Sequence, residues 1–256
     1  MRIAVAGGSG LSGAYAVAAA REAGHDVVVL SRSSGIDLLS DAGLPDALRG
    51  VQVVIDATNI ATRNEEKASQ FFESVTERLH RVGAATGVSR LVTLSIVGID
   101  RASGFGYYAA KLRQEAAAAR GELPTTIVRS TQFHEFAAQV ISQTKVAGAA
   151  FVPMMRSQPV SARELGRVLV DVAVSPIVEP MIDVAGPHPE EVVSMARRVV
   201  RNRRRRLRVI PVRIPGDTGR AFRGGALLPG AGALTVGPVF DDWLESDDSM
   251  LPAWPS

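Results

Sequence analysis

Three residues in this chain have the types and spacing for proton chemistry at an oxygen: Ser95, Tyr107 and Lys111. Tyr107 and Lys111 stand four apart at the start of a predicted helix, which puts both side chains on one face. A phenol has an unperturbed pKa of roughly 10, so it exchanges protons well near neutrality only when a neighbouring cation stabilises the phenolate. Lys111 is placed to do that. Ser95 closes a predicted strand and is placed to orient the oxygen that receives the proton. Plainer readings stand beside these: Glu115, also at helical spacing, offers Lys111 a surface ion pair, and Tyr108, on another face, is an alternative donor.

Such groups need a scaffold, and the chain opens with one. A predicted strand at residues 2–6 runs into Gly7-Gly8-Ser9-Gly10-Leu11-Ser12-Gly13, which opens a helix. Glycine is needed where the backbone turns sharply and a pyrophosphate comes close, and a helix start supplies free N–H groups and a positive dipole end. Gly7, Ser9, Gly10, Leu11 and Gly13 therefore form the expected phosphate cradle; a merely tight strand-to-helix turn is the alternative. The second strand ends in Ser31-Arg32-Ser33, where an NAD site would carry a carboxylate for the ribose hydroxyls. Arg32 there favours the extra phosphate of NADP over NAD, with Ser31, Ser33 and Ser9 as hydroxyl donors; an ordinary surface arginine is the plainer reading.

After the third predicted strand come Asp56-Ala57-Thr58-Asn59, of which Ala57 and Thr58 are assigned to the cofactor and Asp56 to structure. Phe133, after the fifth strand, either closes over the nicotinamide ring or packs in the core. His134 and Glu135 are acid–base types, but a polar rim is the commoner role for such a pair.

Around these motifs, short apolar runs at residues 2–6, 26–31, 52–56, 90–94 and 125–129 alternate with helical stretches at 11–23, 44–49, 65–87 and 107–120. Nearly continuous apolar strands separated by helices predict a parallel sheet covered on both faces, with right-handed crossovers. The expected class is α/β, a doubly wound parallel sheet (Rossmann fold) in one domain over residues 1–256. Residues 150–256 are more irregular, with predicted strands at 150–154, 181–184 and 207–212 and helices at 162–174, 189–202 and 240–245, and supply a small substrate-side cap.

Bulk properties narrow the class further. Hydrophobic residues make up 46% and charged residues 21%, the balance of a folded globular chain and not of a disordered one. With no cysteine, disulfides and thiolate chemistry are excluded, and His25, His80, His134 and His188 lack the spacing of metal ligands. No metal is expected. No apolar run suits a membrane span, and the first strand leaves no room for a signal sequence, so a cytoplasmic location without membrane partners is expected. The net charge of +3 is concentrated visibly in residues 197–208, where Arg203, Arg204, Arg205 and Arg206 are consecutive. No aromatic residues interleave them, which disfavours nucleic acid and leaves a solvated helix end or an anion-facing patch. The expected partner is a small-molecule substrate, and helices 65–87 and 107–120 are the candidate faces for a homodimer.

Taken together, the glycine loop, Ser31-Arg32, Leu94-Ser95-Ile96-Val97-Gly98, Tyr107 with Lys111 and Glu115, the segment from Val128 to Phe133, and Asp183-Val184-Ala185-Gly186-Pro187 resemble the atypical, NmrA-like branch of the short-chain dehydrogenase/reductase superfamily. The resemblance implies NADPH at the strand ends, an adenine contact falling on Asp37 and Leu38, and a substrate held by the carboxyl-terminal segment. It implies one of two activities: hydride transfer to a quinone or other carbonyl, or redox sensing without turnover. Many non-catalytic relatives lack the tyrosine, so Tyr107 with Lys111 favours the first. The run at 203–206 departs from the family, which has a milder turn there.

Overall fold

The computed structural model describes residues 1–62 and 64–250. In chain order its elements begin β1 (Arg2–Ala6), α1 (Leu11–Glu22), β2 (Asp26–Leu30), α2 (Leu44–Ala47), β3 (Val53–Asp56), α3 (Glu65–Thr86), β4 (Arg90–Ile96), α4 (Gly106–Arg120) and β5 (Thr125–Ser130). They continue with α5 (Phe136–Thr144), β6 (Lys145–Val146), β7 (Ala149–Pro153), β8 (Arg156–Ser157), α6 (Ala162–Val174), β9 (Met181–Ala185) and β10 (Glu190–Glu191). The last are α7 (Val192–Asn202), β11 (Arg208–Val212), α8 (Gly216–Gly224), β12 (Leu234–Thr235) and α9 (Phe240–Glu245).

The main sheet has seven parallel strands in the order β12-β9-β5-β4-β3-β1-β2. Its direction of winding reverses between β1 and β3, the place where ligands meet open α/β sheets. The register sets Ala6 beside both Leu30 and Asp56, and Asp56 beside Thr93, so the carboxyl ends of β1, β2, β3 and β4 share one edge. This is the Rossmann-type α/β architecture expected from the alternating apolar runs.

Two compact units make up the chain. The first comprises residues 1–96, 106–129 and 163–182. Its core under β1 to β4 gathers Ala4, Leu30, Leu44, Leu48, Val54, Val75, Leu79 and Leu91, all fully buried, as strands covered on both faces require. Helix α3 is well specified locally. Asn64 accepts from the Lys67 N–H at 2.9 Å, Glu65 and Glu66 lie in the first turn, and Gly87 ends the helix in the left-handed conformation.

The other unit comprises residues 97–105, 130–162 and 183–256. A three-stranded sheet, β11-β7-β6, is packed by α5 and α7, and β10 pairs antiparallel with β8. That pairing explains why the helix expected from residue 189 begins at Val192: Glu190 and Glu191 are extended partners of Ser157 and Arg156. Arg198 of α7 is held by Glu190 and by Asp241 at 2.8 Å, and its guanidinium lies 4.7 Å from the centre of the Phe240 ring.

Helix α6, which the sequence places within the cap segment, belongs almost entirely to the first unit. Arg90, nearly fully buried at the start of β4, donates to the carbonyls of Val172 (2.7 Å), Ser175 (2.8 Å) and Ile177 (2.9 Å), satisfying the end of α6. Replacing Arg90 with Met should lower stability by about 2–4 kcal/mol, because three partly buried hydrogen bonds from a charged donor are lost together. Urea unfolding should show this as a lower midpoint at unchanged slope.

Candidate active site

The first unit draws the glycine loop, the end of β3, the end of β4 and the start of α4 into one set of contacts. Gly7 has φ +72 and donates its N–H to Leu30 O at 3.0 Å, while Gly10 donates to Gly7 O at 2.8 Å. A Cβ on Gly7 would stand 2.7 Å from Ala57 O, and one on Gly13 would stand 2.2 Å from Gly7 O. The loop can therefore close against β3 and α1 only without side chains at those positions. Gly10 is the N-cap of α1 and makes no side-chain cap bond, and no acidic residue lies in the first turn. The helix start is left with its positive end and uncapped N–H groups beside exposed Ser9 and half-buried Leu11.

Beyond β2, Ser31 caps a short turn over Arg32–Ser34: it accepts from the Ser34 N–H, and its hydroxyl lies 2.9 Å from that of Ser33. Both hydroxyls assigned to the cofactor thus have work within the turn. Arg32 is exposed beside them. Asp37 is exposed and accepts from the Leu39 N–H at 2.9 Å, whereas Leu38 is buried in the core. Asp56 is completely buried; its Oδ1 accepts from the Thr58 N–H at 3.0 Å and the Thr58 hydroxyl at 2.6 Å, so the side chain fixes the loop at the strand end. Ala57 and Thr58 are buried next to Gly7.

A continuous polar chain joins that loop to α4. The other Asp56 oxygen, Oδ2, accepts from Gln114 Nε2 at 2.9 Å, and Gln114 Oε1 accepts from the Lys111 ammonium. Lys111 also donates to Leu94 O at 2.7 Å, beside Ser95, and its Nζ lies 4.7 Å from the centre of the Phe72 ring. Although Lys111 is only 4% exposed, its charge thus has two oxygen acceptors and an aromatic face. Burial pulls its pKa down to about 8, against the upward pull of the Asp56 and Glu115 charges.

Tyr107 is not bonded to this ammonium. Its hydroxyl donates to Asn59 Oδ1 at 2.8 Å, the same oxygen that accepts the Ile60 N–H at 2.8 Å. Pinned by that N–H, Asn59 presents an acceptor and so favours the protonated phenol. Burial pushes Tyr107 up to about 12, the opposite of the lowering expected from Lys111. Tyr108 is also buried, with its phenol raised by the same cause, so the shift does not separate the two candidate donors. The alternative partner for Lys111 is also taken: Glu115 forms a two-pronged pair with Arg129, at 2.8 and 2.6 Å.

Ser95 is 2% exposed, and its Oγ is a buried hydroxyl without a hydrogen-bond partner among the described residues. An oxygen left unsatisfied at the carboxyl edge of the sheet is what a ligand group could complete. With the uncapped helix start and the side-chain-free loop, this fits a dinucleotide held by Gly7, Ser9, Gly10, Leu11, Gly13, Ala57 and Thr58.

Phe133 lies in the other unit, where it bridges to Val160. Next to it His134 is buried against Phe240 and Trp243, with Nε2 3.1 Å from Pro238 O, and burial lowers it to about 4. A ring neutral over the working range and enclosed by aromatics is a core residue, not an acid. Glu135 has both carboxylate oxygens buried, and burial raises it to about 7 against the downward pull of the backbone N–H groups of Glu135 and Ala162.

Sequence reasoning missed Asn59 and Gln114. Gln114 had a signal, three residues after Lys111 on the same helix, but Asn59 meets Tyr107 only through the fold, across 48 positions.

No known sequence family and no curated protein matches the chain. Among solved structures it is similar to a short-chain dehydrogenase/reductase superfamily protein from Agrobacterium tumefaciens with bound NAD, at 16% identity and TM-score 0.70 over 97% of this chain and 96% of that one. It is also similar to UDP-N-acetylglucosamine 4-epimerase from Bacillus cereus, at 14% identity and TM-score 0.72 over 100% and 98%. A third is the Citrobacter sp. triphenylmethane reductase complexed with NADP(H), at 14% identity and TM-score 0.69 over 94% and 98%. The chain shares the Rossmann-type fold of these structures.

His134 and Glu135 have opposite linkage to pH. His134, lowered from 6.5 to about 4, costs stability as pH falls through that interval, because the unfolded chain takes the proton first. Glu135, raised from 4.5 to about 7, adds stability as pH falls from 7 to 4.5, because the folded chain takes the proton first. Glu135→Gln should therefore make melting temperature fall more steeply than in the wild type between those limits. Parallel curves would show that Glu135 titrates normally.

Proposed function

We propose that the protein is an NADPH-dependent oxidoreductase of the short-chain dehydrogenase/reductase type that reduces a small carbonyl or quinone. The observation that carries this reading is the convergence of Tyr107, Lys111 and the unsatisfied Ser95 hydroxyl with the glycine loop in one unit. The similarity to the triphenylmethane reductase and to the NAD-bound Agrobacterium protein supports a nicotinamide cofactor. Arg32 favours the phosphorylated form, because its exposed guanidinium has the geometry for a phosphate and no carboxylate stands at the end of β2.

When bound, the nicotinamide supplies the hydride. Tyr107 supplies the proton, and its elevated pKa suits that direction, since the phenol is protonated throughout the neutral range. To deliver the proton the hydroxyl must leave Asn59. Ser95 directs its free hydroxyl to the substrate oxygen. Lys111 holds the ribose side and stabilises the phenolate that proton transfer leaves behind.

One feature favours a second reading, a cofactor-holding sensor without turnover: Tyr107 and Lys111 are each engaged elsewhere, with Asn59 and with Leu94 and Gln114. Measuring NADPH binding and NADPH oxidation against quinones and aldehydes separates the two. Tyr107→Phe should retain binding and lose about 100-fold or more in turnover; binding with no wild-type turnover on any acceptor would leave the sensor.

Arg32→Asp should weaken NADPH by about 10- to 100-fold, the range for a charged hydrogen bond, while sparing NADH. Lys111 also sets a pH dependence. NADPH affinity should fall as pH rises through about 8, where the ammonium loses its proton. Lys111→Met should remove that step from the binding curve.

A further inference from the structure

The arginine run is divided in its use. Arg198 is consumed by Glu190 and Asp241, and Arg203 donates to Ser249 O at 2.6 Å. No ion pair holds Lys145, Arg204, Arg205, Arg206 or Arg208 among the described residues. Lys145, Arg205 and Arg206 line a cleft of about 280 Å³ with Gly148 and Leu207, where the turn before β11 meets the β6–β7 turn through the Arg208 N–H to Gly148 O bond of 3.0 Å. No acidic residue lines it. Like charges held together without a counter-charge attract an anion.

The adjoining sheet says which kind. In the register Arg208 faces Ala149, Ile210 faces Phe151, and Val146 faces Ala149, so Val146, Phe151, Arg208 and Ile210 share one side. The alternate residues Ala150 and Val152 are fully buried on the other side, under α5 and α7, and Lys145, the register partner of Ala150, belongs to that side, which leaves Arg208 as the cation on the apolar face. Val146 is 63% exposed, and Phe151 and Ile210 are exposed as well. An apolar face with a cationic end matches neither a free phosphate, which would use only the cleft, nor a nucleic acid, which gains nothing from exposed valine and isoleucine. It matches a surface whose phosphates lie just above hydrocarbon.

We propose that this end of the β11-β7-β6 sheet is a docking surface for an anionic phospholipid bilayer, with Arg205, Arg206 and Arg208 meeting headgroup phosphates and Val146, Phe151 and Ile210 entering the interface. The contact is peripheral, since no helix among the described residues is long and apolar enough to cross a membrane. It is independent of the oxidoreductase reading.

The test is co-sedimentation of the full chain with vesicles of phosphatidylcholine alone and with vesicles of phosphatidylcholine and phosphatidylglycerol in equal parts. Binding is expected only to the anionic vesicles, falling with added salt. The double variant Arg205→Glu, Arg206→Glu should lose about 25-fold or more in partitioning, as the product of two roughly fivefold terms. Val146→Asp should weaken binding while Val146→Leu retains it, and thermal melting of each variant checks that it folds. Equal binding to neutral vesicles, no binding to anionic ones, or binding indifferent to the arginine pair would overturn the proposal. So would vesicle binding unaffected by Val146→Asp and displaced by a short oligonucleotide, which would make this a nucleic-acid surface.

Discussion

The candidate site depends on keeping one ammonium charge inside the first unit. Burying an unpaired cation would cost several kcal/mol, enough to consume much of a domain's net stability. Lys111 avoids that cost through the Leu94 carbonyl, the Gln114 amide and the face of Phe72. Because Gln114 passes the connection to Asp56, and Asp56 holds the backbone of Thr58, the lysine is tied to the loop beneath the glycines. Placement of the charge and shape of the ligand edge are therefore one problem with one solution.

That solution leaves Lys111 and Tyr107 in different states. Lys111 is made easier to deprotonate by burial, yet the charges of Asp56 and Glu115 oppose the change. Tyr107 is made harder to deprotonate, and Asn59 reinforces the protonated form by offering it an oxygen already fixed by Ile60 N–H. The pair thus consists of a reluctant acid and a readily neutralised base. Burial and Asn59 thus keep the phenol protonated, while burial alone works to neutralise the ammonium.

The parallel strands of the main sheet were legible because a strand buried on both faces must be apolar along its length. β1 falls where the pattern puts it, as do α6 and α9, and most other boundaries differ by a residue or two. The start of α7 was not legible, because Glu190 and Glu191 become extended through pairing with β8, a long-range contact that local periodicity does not encode. At the site, the glycine loop was readable for a similar reason: Gly7 and Gly13 occupy positions where a Cβ would strike backbone. The hydroxyls of Ser31 and Ser33 looked available in sequence but are drawn into their own turn.

By itself, the sequence determined the alternating sheet, the glycine cradle, the four-residue spacing of Tyr107 and Lys111, and the basic run at 203–206, all of which follow from local periodicity, stereochemistry or composition. The tertiary structure decided the partners. It gave Glu115 to Arg129, Tyr107 to Asn59 and Lys111 to Leu94 and Gln114, and it set exposed Phe151 and Ile210 beside unpaired arginines. The physical reason is that a side chain's protonation and reach depend on what burial removes and which acceptors the fold brings near. Those neighbours come from segments far apart in the chain.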